Sequence, residues 1–255
     1  MTSPTQRNDP LERHFAWIER QEKHIDVLSW LAIAAFSIYV LLHAIHSHWD
    51  SLAKLIFIFF TMLAIAFSYW FRFAAQPPAD RKRRRLLIQD AIGSALTTDK
   101  QNLYWNNRES QSVRRLLMNL AENTFFVPRM LRAELGNQIA LALVFSIGLL
   151  ISIRFGTAEV VELFAVLLVF SEVILGKLVR MVWTLIRVKH LHIDIIAALR
   201  DRAPTTTDAI GRTLFLLGEY EYIKARGGYR ASDHTFAQLN PVLTKQWNTY
   251  RDTQL

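Results

Sequence analysis

A carboxylate within an apolar run is the first residue of this sequence that could do chemistry. Glu172 lies well inside the run Val160–Leu175, and an ionised carboxylate in hydrocarbon costs at least ~2.5 kcal/mol on membrane-insertion scales. Such a side chain normally faces protein or water. Glu172 is therefore a candidate pore residue, with Ser171 beside it and Glu159 and Glu162 forming an acidic outer mouth. A salt bridge to a basic neighbour, or a protonated carboxyl, explains the residue equally well.

A second candidate site is a stretch rich in arginine and aromatic residues. Arginine binds phosphate oxygens through paired N–H donors, and aromatic rings stack on nucleobases. The combination suits a nucleotide or a short single-stranded nucleic acid. The candidate ligand-binding residues are Arg108, Arg114, Arg115, Arg129, Arg132, Tyr104 and Trp105, followed by Phe125 and Phe126. On composition alone, an aromatic core beneath solvated arginines is the more common outcome of such a pattern.

Five consecutive cations mark a membrane surface. Arg81, Lys82, Arg83, Arg84 and Arg85 follow an apolar run closely. Cations at this position fix the orientation of a membrane protein, and each adds about 1 kcal/mol of attraction to anionic lipid headgroups.

Motifs for most enzyme classes are missing from the sequence. It contains no cysteine, which excludes disulfides, thiolate catalysis and cysteine-based metal sites. The histidines His43, His46 and His48 lie close together, but no carboxylate set accompanies them. Glycine-rich phosphate loops and the HExxH and GxSxG motifs are also missing. We therefore expect no enzyme activity, no catalytic residue, no metal site and no cofactor.

The composition indicates a membrane protein. The 255-residue chain is 51% apolar with 16 Phe, and its mean hydropathy is +0.14, which is high for a soluble protein. A helix needs about 20 apolar residues to cross the hydrocarbon core of a bilayer. Four runs approach that length: Val27–Ile45, Leu55–Phe71, Ile139–Ile153 and Val160–Leu175. They predict an all-α membrane protein with four transmembrane helices in two hairpins, a cytosolic helical insert and a C-terminal helical region.

The distribution of charge predicts the orientation. The net charge is +8; Phe73–Asn137 contains 11 Lys and Arg against 6 Asp and Glu, and Leu178–Leu255 contains 11 against 7. Basic segments beside membrane helices remain in the cytoplasm. Both regions are therefore predicted to be cytosolic, and an even number of crossings places both termini there as well.

Five domains follow from these assignments. They are a cytosolic N-terminal helix at 1–26, a transmembrane hairpin at 27–75, a cytosolic basic helical insert at 76–137, a second transmembrane hairpin at 138–177, and a cytosolic helical stalk with a C-terminal region at 178–255.

Prolines and glycines predict where helices begin and end. Pro77-Pro78 predict the end of the second spanning helix, and Pro128 predicts the first turn of the helix that enters the third apolar run. An earlier helix is expected to begin near Ser110, with Leu116, Leu117 and Leu120 on one face. Downstream helices are predicted to end at Arg202, at Gly227-Gly228 and near Tyr250.

One set of residues in the insert resembles a known family. It comprises Asn102-Leu103-Tyr104-Trp105-Asn106-Asn107, then Arg115-Leu116, then Ala121-Glu122-Asn123-Thr124-Phe125-Phe126. Set between two transmembrane hairpins, this pattern resembles the SMODS-associated four-transmembrane effectors of bacterial anti-phage nucleotide signalling, including Hailong-type and CBASS-type pore-forming effectors. About 25 residues resemble the family closely, and the layout of most of the chain is similar to it.

The resemblance implies a function and several partners. The family implies a homo-oligomeric, ligand-gated pore in the bacterial inner membrane, which stays closed until a nucleotide or oligonucleotide binds the cytosolic domains and then depolarises the cell. A nucleotidyltransferase or another defence protein encoded nearby would supply the signal. The alternative is a non-conducting membrane-anchored scaffold, or a phage-sensing component of a defence complex, in which the hairpins only localise the basic domain in the lipid bilayer.

Overall fold

The computed structural model describes residues 12–45, 47–96, 109–154, 174–201, 206–228 and 232–255. Every regular element in these ranges is helical, which confirms the all-α prediction. The helices are α1 Glu12–Ala44, α2 Asp50–Trp70, α3 Gln76–Ile92, α4 Val113–Arg154, α5 Gly176–Arg200, α6 Thr206–Gly227 and α7 Asp233–Gln254, with a π-helical turn at Phe71–Ala75 between α2 and α3.

The chain divides into two compact units. The helical unit comprises Met1–Ala16, Pro78–Glu134 and Met181–Leu255, and the hairpin unit comprises Trp17–Pro77 and Leu135–Arg180. The divisions after Pro77, Glu134 and Arg180 lie two or three residues from the predicted boundaries at 75, 137 and 177. The remaining division, after Ala16, lies ten residues before the predicted boundary at residue 26, and α1 is one helix across both positions.

Two of the described helices are long and apolar enough to cross a membrane. They are Ala16–His43 within α1 and the continuous helix Asp50–Ile92. The third apolar run belongs to α4, and all of the fourth run except Ile174 and Leu175 lies outside the described residues. The arrangement of four spans therefore stays a prediction.

Helices α1 and α2 form an antiparallel hairpin. The turn between them falls where the sequence predicted it, just before α2 begins at Asp50. Later residues of α1 contact earlier residues of α2. The pairs are Trp17 with Trp70, His24 with Phe67, Phe36 with Phe57, and His43 with Asp50.

The prediction that Pro77-Pro78 end the second spanning helix is wrong. The chain stays helical from Asp50 to Ile92. The two prolines are the second and third residues of α3, and they lack the N–H groups that would continue the hydrogen bonds of the preceding turn. The π-helical turn at Phe71–Ala75 lies directly before them, so the regular α-helical hydrogen bonding is already interrupted where the prolines enter the helix.

The prediction that Pro128 begins a helix is also wrong, because α4 is unbroken from Val113 to Arg154. Pro128 has no N–H to donate to the Thr124 carbonyl. Two side chains add hydrogen bonds to the same stretch of backbone. The Thr124 hydroxyl donates to the carbonyl one turn earlier at 2.9 Å, and Arg129 Nη1 donates to the Phe125 carbonyl at 2.6 Å.

Five helices build the core of the helical unit. Leu116, Leu117 and Leu120, which were predicted to share a face, are all buried there. They pack with apolar residues of α3, α5, α6 and α7. These include Leu87 and Ala91 of α3, Val188, Leu191 and Ile195 of α5, Leu216, Leu217 and Tyr220 of α6, and Leu243 and Trp247 of α7.

Helix α6 ends at the predicted glycines, and a serine caps the beginning of α7. Helix α6 ends at Gly227, and Gly228 adopts φ +56°, a left-handed conformation that favours glycine at this position. Helix α7 begins after Ser232, whose hydroxyl accepts the Thr235 N–H at 3.1 Å. It extends four residues beyond the predicted end at Tyr250.

A carboxylate of α6 pairs with two cations of α3. Arg83 Nη2 donates to the two Glu221 oxygens at 2.8 and 3.0 Å, and Arg84 Nε donates to Glu221 at 3.0 Å. Glu221 is 7% exposed. Because two guanidinium groups compensate its charge, the buried carboxylate attaches α3 to α6.

Close packing of α5 on α6 makes Gly227 sensitive to substitution. A Cβ at Gly227 would overlap the Thr184 hydroxyl, and Thr184 is fully buried. We expect Gly227→Ala to lower the free energy of unfolding by roughly 1–3 kcal/mol, because buried side chains must shift. Urea unfolding followed by circular dichroism measures the change.

Gly218→Ala is the matched control, since no atom lies within 4 Å of a Cβ there. Alanine should stabilise that exposed position in α6 by about 0.5–1 kcal/mol. Equal effects at both glycines would contradict the close contact.

Candidate functional site

An open cleft between α4 and α7 is the candidate functional site. Its volume is about 580 Å³, within the range of small-molecule sites. Helix α4 contributes Phe125 and Arg129, which are one turn apart. Helix α7 contributes Lys245, Gln246, Thr249, Tyr250, Thr253 and Gln254, which share one helical face.

An aromatic cluster forms the base of the cleft. Phe125 is buried, and its ring centroid lies 5.4 Å from that of Trp247 and 5.6 Å from that of Tyr250. The His192 ring of α5 lies 6.2 Å from both Phe125 and Tyr250. Apolar residues spaced three or four apart on α7 hold this arrangement in the core. They are Phe236, Leu239, Leu243, Trp247 and Tyr250.

Arg129 is held over the aromatic cluster. Its Cζ atom lies 3.4 Å from the Phe125 ring centroid, and Nη1 donates to the Phe125 carbonyl at 2.6 Å. Burial lowers the Arg129 pKa, and so does the nearby charge of Arg132. No carboxylate of the described residues pairs with Arg129. The guanidinium therefore retains N–H donors and an uncompensated charge for an anion.

Lys245 adds a second cation to the opposite wall of the cleft. Its side chain is exposed and makes no hydrogen bond or ion pair with a described residue. Gln246 and Thr249 supply neutral polar groups, and none of the described lining residues is acidic. The cleft therefore combines two cations with an aromatic surface, which suits a ligand that carries both a negative charge and a planar ring.

Among the described residues, Arg129 is the only predicted ligand-binding arginine that lines this cleft, and Phe125, one of the aromatic residues predicted to accompany the arginines, lies beside it. Arg132 is exposed on the next turn of α4. Arg114 donates to the Leu199 carbonyl at 3.2 Å and lies 3.5 Å from a Glu109 carboxylate oxygen. Its contacts are with the protein, and the structure does not bring it to Arg129.

Arg115 likewise bonds to other residues of the protein. It donates to both oxygens of Asp90 at 2.9 and 3.1 Å, and Asn119 donates to the same carboxylate at 3.0 Å. Asn119 is fully buried. These bonds connect α3 to the beginning of α4, so they give Arg115 a structural role.

The five predicted membrane-surface cations have different environments. Arg83 is mostly buried against Glu221, so it does not face lipid headgroups. Arg84 also binds Glu221 but is 46% exposed. Arg81 and Arg85 are exposed, and Lys82 is half-buried.

Several predicted residues lie outside the described ranges. They are the pore candidates Glu159, Glu162, Ser171 and Glu172, and the ligand candidates Tyr104, Trp105 and Arg108.

The chain has no significant similarity to a known protein family, a curated protein or a solved structure. The resemblance to four-transmembrane effectors stays a prediction.

Burial changes the pKa of His192, whose ring lies beside the aromatic cluster. Its Nδ1 lies 2.9 Å from the Thr124 hydroxyl oxygen. Burial lowers the His192 pKa to about 4, and the positive charge of Arg129 contributes. The neutral imidazole is therefore the form that fits beside the aromatic cluster.

Removing Arg115 should destabilise the helical unit. In Arg115→Ala, the Asp90 carboxylate loses its bidentate partner in a partly buried position, and we expect a loss of about 2 kcal/mol in the free energy of unfolding. The more exposed Arg114 should tolerate alanine with a smaller loss. Thermal unfolding of both variants tests this, and equal stabilities would contradict the assignment.

The low His192 pKa predicts acid sensitivity. Below pH 6.5 the unfolded chain binds a proton that the folded chain accepts only near pH 4. The contribution of His192 to the free energy of unfolding is therefore fully present above pH 6.5 and is lost as the pH falls from 6.5 towards 4. At pH 5 the expected loss from this group is about 2 kcal/mol relative to pH 7. Urea titrations at pH 5 and pH 7 measure it.

His192→Asn should reduce this pH dependence while keeping a polar atom for Thr124. The exposed His234→Asn serves as the control and should retain the wild-type dependence. The mechanism fails if both variants lose stability with acid as the wild type does.

Proposed function

We propose that this protein is a ligand-gated, pore-forming membrane effector of bacterial anti-phage defence. A nucleotide or oligonucleotide binds the basic helical unit in the cytosol and opens a pore that depolarises the inner membrane. The observation that carries the proposal is the composition of α4. This one helix includes Arg129 of the cationic, aromatic-lined cleft and also the apolar run Ile139–Ile153.

The exposure of the hairpin supports the membrane part of the proposal. In the most apolar window of each candidate span, only 22% is buried within the chain. A core helix of a soluble protein would be mostly covered, whereas a lipid-facing helix leaves most of its apolar surface outward. In our proposal, Ile139–Ile153 and Val160–Leu175 form a second hairpin, and both termini are cytoplasmic.

A pore requires several copies of the chain. Four helices of one subunit cannot enclose a wide conduit, so we propose a homo-oligomer with Glu172 and Ser171 in the pore wall. Glu159 and Glu162 form its outer mouth. Ligand binding in the helical unit would act on the pore through α4, because the same helix leads from the cleft into the third apolar run.

The signal would come from a neighbouring enzyme. The resemblance to four-transmembrane effectors favours a nucleotidyltransferase or another defence protein encoded nearby. The lining of the cleft supports a ligand of this chemistry, since its cations lack acidic partners among the described residues.

A non-conducting scaffold is the second candidate. The internal ion pairs of Arg83, Arg84 and Arg115 favour it, because these cations stabilise the fold and need no ligand. A scaffold would keep the membrane sealed whatever binds the helical unit, so ion flux distinguishes the two functions.

Glu172→Gln tests the pore. In proteoliposomes exposed to mono- and dinucleotides on the side of the helical unit, we expect wild-type protein to release cations. Removal of the carboxylates should lower the cation-over-anion permeability ratio several-fold. Glu219→Gln in α6 removes an equal charge from the helical unit and should leave permeation unchanged. Unaltered conductance and selectivity in Glu172→Gln would remove this residue from the pore.

A further inference from the structure

We infer that the cleft between α4 and α7 binds a nucleotide, with the base against Tyr250 and the phosphate between Arg129 and Lys245. This inference deepens the proposed function, on which its biological meaning rests, by assigning the recognition site and the chemistry of the ligand. It places recognition on α7, which the arginine-rich stretch of the insert does not include.

The charge of the site supports an anion. Arg129 and Lys245 belong to different helices, and neither has a carboxylate partner among the described residues. In the same unit, Arg83, Arg84 and Arg115 all bind carboxylates. Arg129 and Lys245 differ from these three arginines in lacking a carboxylate, and a phosphate would supply the countercharge.

The geometry of Arg129 and the position of Tyr250 support a ligand that has both a phosphate and a planar ring. Its guanidinium already lies 3.4 Å from the Phe125 ring and is anchored to the Phe125 carbonyl. This anchor uses one of the five N–H donors, and the remaining donors can bind phosphate without a large rearrangement. Tyr250 lines the same cleft and provides an aromatic surface for a base.

The size and polarity of the cleft are consistent with this ligand. A volume of about 580 Å³ accommodates a nucleotide or a short phosphodiester, and the open shape allows a longer chain to continue into solvent. Gln246 and Thr249 provide hydrogen bonds at the rim. Stacking on an aromatic ring discriminates poorly between bases, so specificity for one base is not expected from Tyr250 alone.

Calorimetry on full-length protein in nanodiscs separates the two recognition elements. The probes are AMP, adenosine and inorganic phosphate, and AMP should bind wild-type protein at least about tenfold more tightly than either fragment. Arg129→Ala and Lys245→Ala should weaken AMP toward the affinity of adenosine. Tyr250→Ala should weaken AMP toward the affinity of phosphate.

Conservative and distant variants separate binding from folding. Arg129→Lys keeps the charge and should restore part of the AMP affinity, while Tyr250→Phe keeps the ring and should bind as wild type. Arg212→Ala and Lys189→Ala remove exposed cations elsewhere in the helical unit and should leave AMP binding unchanged.

Three results would overturn the inference. They are the absence of binding by AMP, GMP, CMP and UMP at millimolar concentration, full AMP affinity in Arg129→Ala, and equal losses for all three probes in every cleft variant. Ion flux distinguishes this failure from that of the proposed function. If AMP binds the cleft but no mono- or dinucleotide alters flux, the gated pore fails and the site remains; if flux responds while cleft variants behave as wild type, the site assignment fails.

Discussion

Two ion-paired carboxylates hold α3 against its neighbouring helices, and the packing of the helical unit depends on this placement of α3. Glu221 of α6 binds two of its cations, and its own Asp90 binds Arg115 of α4. Each carboxylate is largely removed from water, so losing a partner leaves a charge that the interior solvates poorly. The pairs thus fix which faces of α3, α4 and α6 meet, and the shared apolar core then brings α4 against α7.

Local chemistry accounts for the parts of the fold that the sequence predicted well. The end of α6 at Gly227-Gly228 was predicted, and it depends only on nearby residues. The Ser232 cap of α7 is equally local, although no prediction included it. The same reasoning failed at Pro77-Pro78 and at Pro128. A π-helical turn precedes the first pair, and Pro128 lies in a helix that the core residues around it keep continuous. Proline rules describe an isolated helix, whereas tertiary packing decides the outcome here.

The candidate site was harder to predict because its two walls are far apart in sequence. Arg129 stood out beside Phe125 and Phe126, but nothing local to α7 indicated that Tyr250 and Lys245 would lie opposite. The apolar spacing of Phe236, Leu243 and Trp247 was the available signal, since it predicts which face of α7 is buried. Arg83 was misassigned to the membrane surface for the same reason: its partner, Glu221, is 138 residues away.

The discontinuity of the helical unit has a consequence for synthesis of the chain. Pro78–Glu134, which contains the first wall of the cleft, is synthesised before Leu135–Arg180 of the hairpin unit, and Met181–Leu255, which contains the second wall, follows. More than a hundred residues are therefore translated after Phe125 and Arg129 before α7 can pack against them. During that interval the apolar face of α4 lacks its cover, which is the situation in which nascent chains engage chaperones. Completion of the cleft is accordingly a late folding event, because α7 is the last of the described helices to be synthesised.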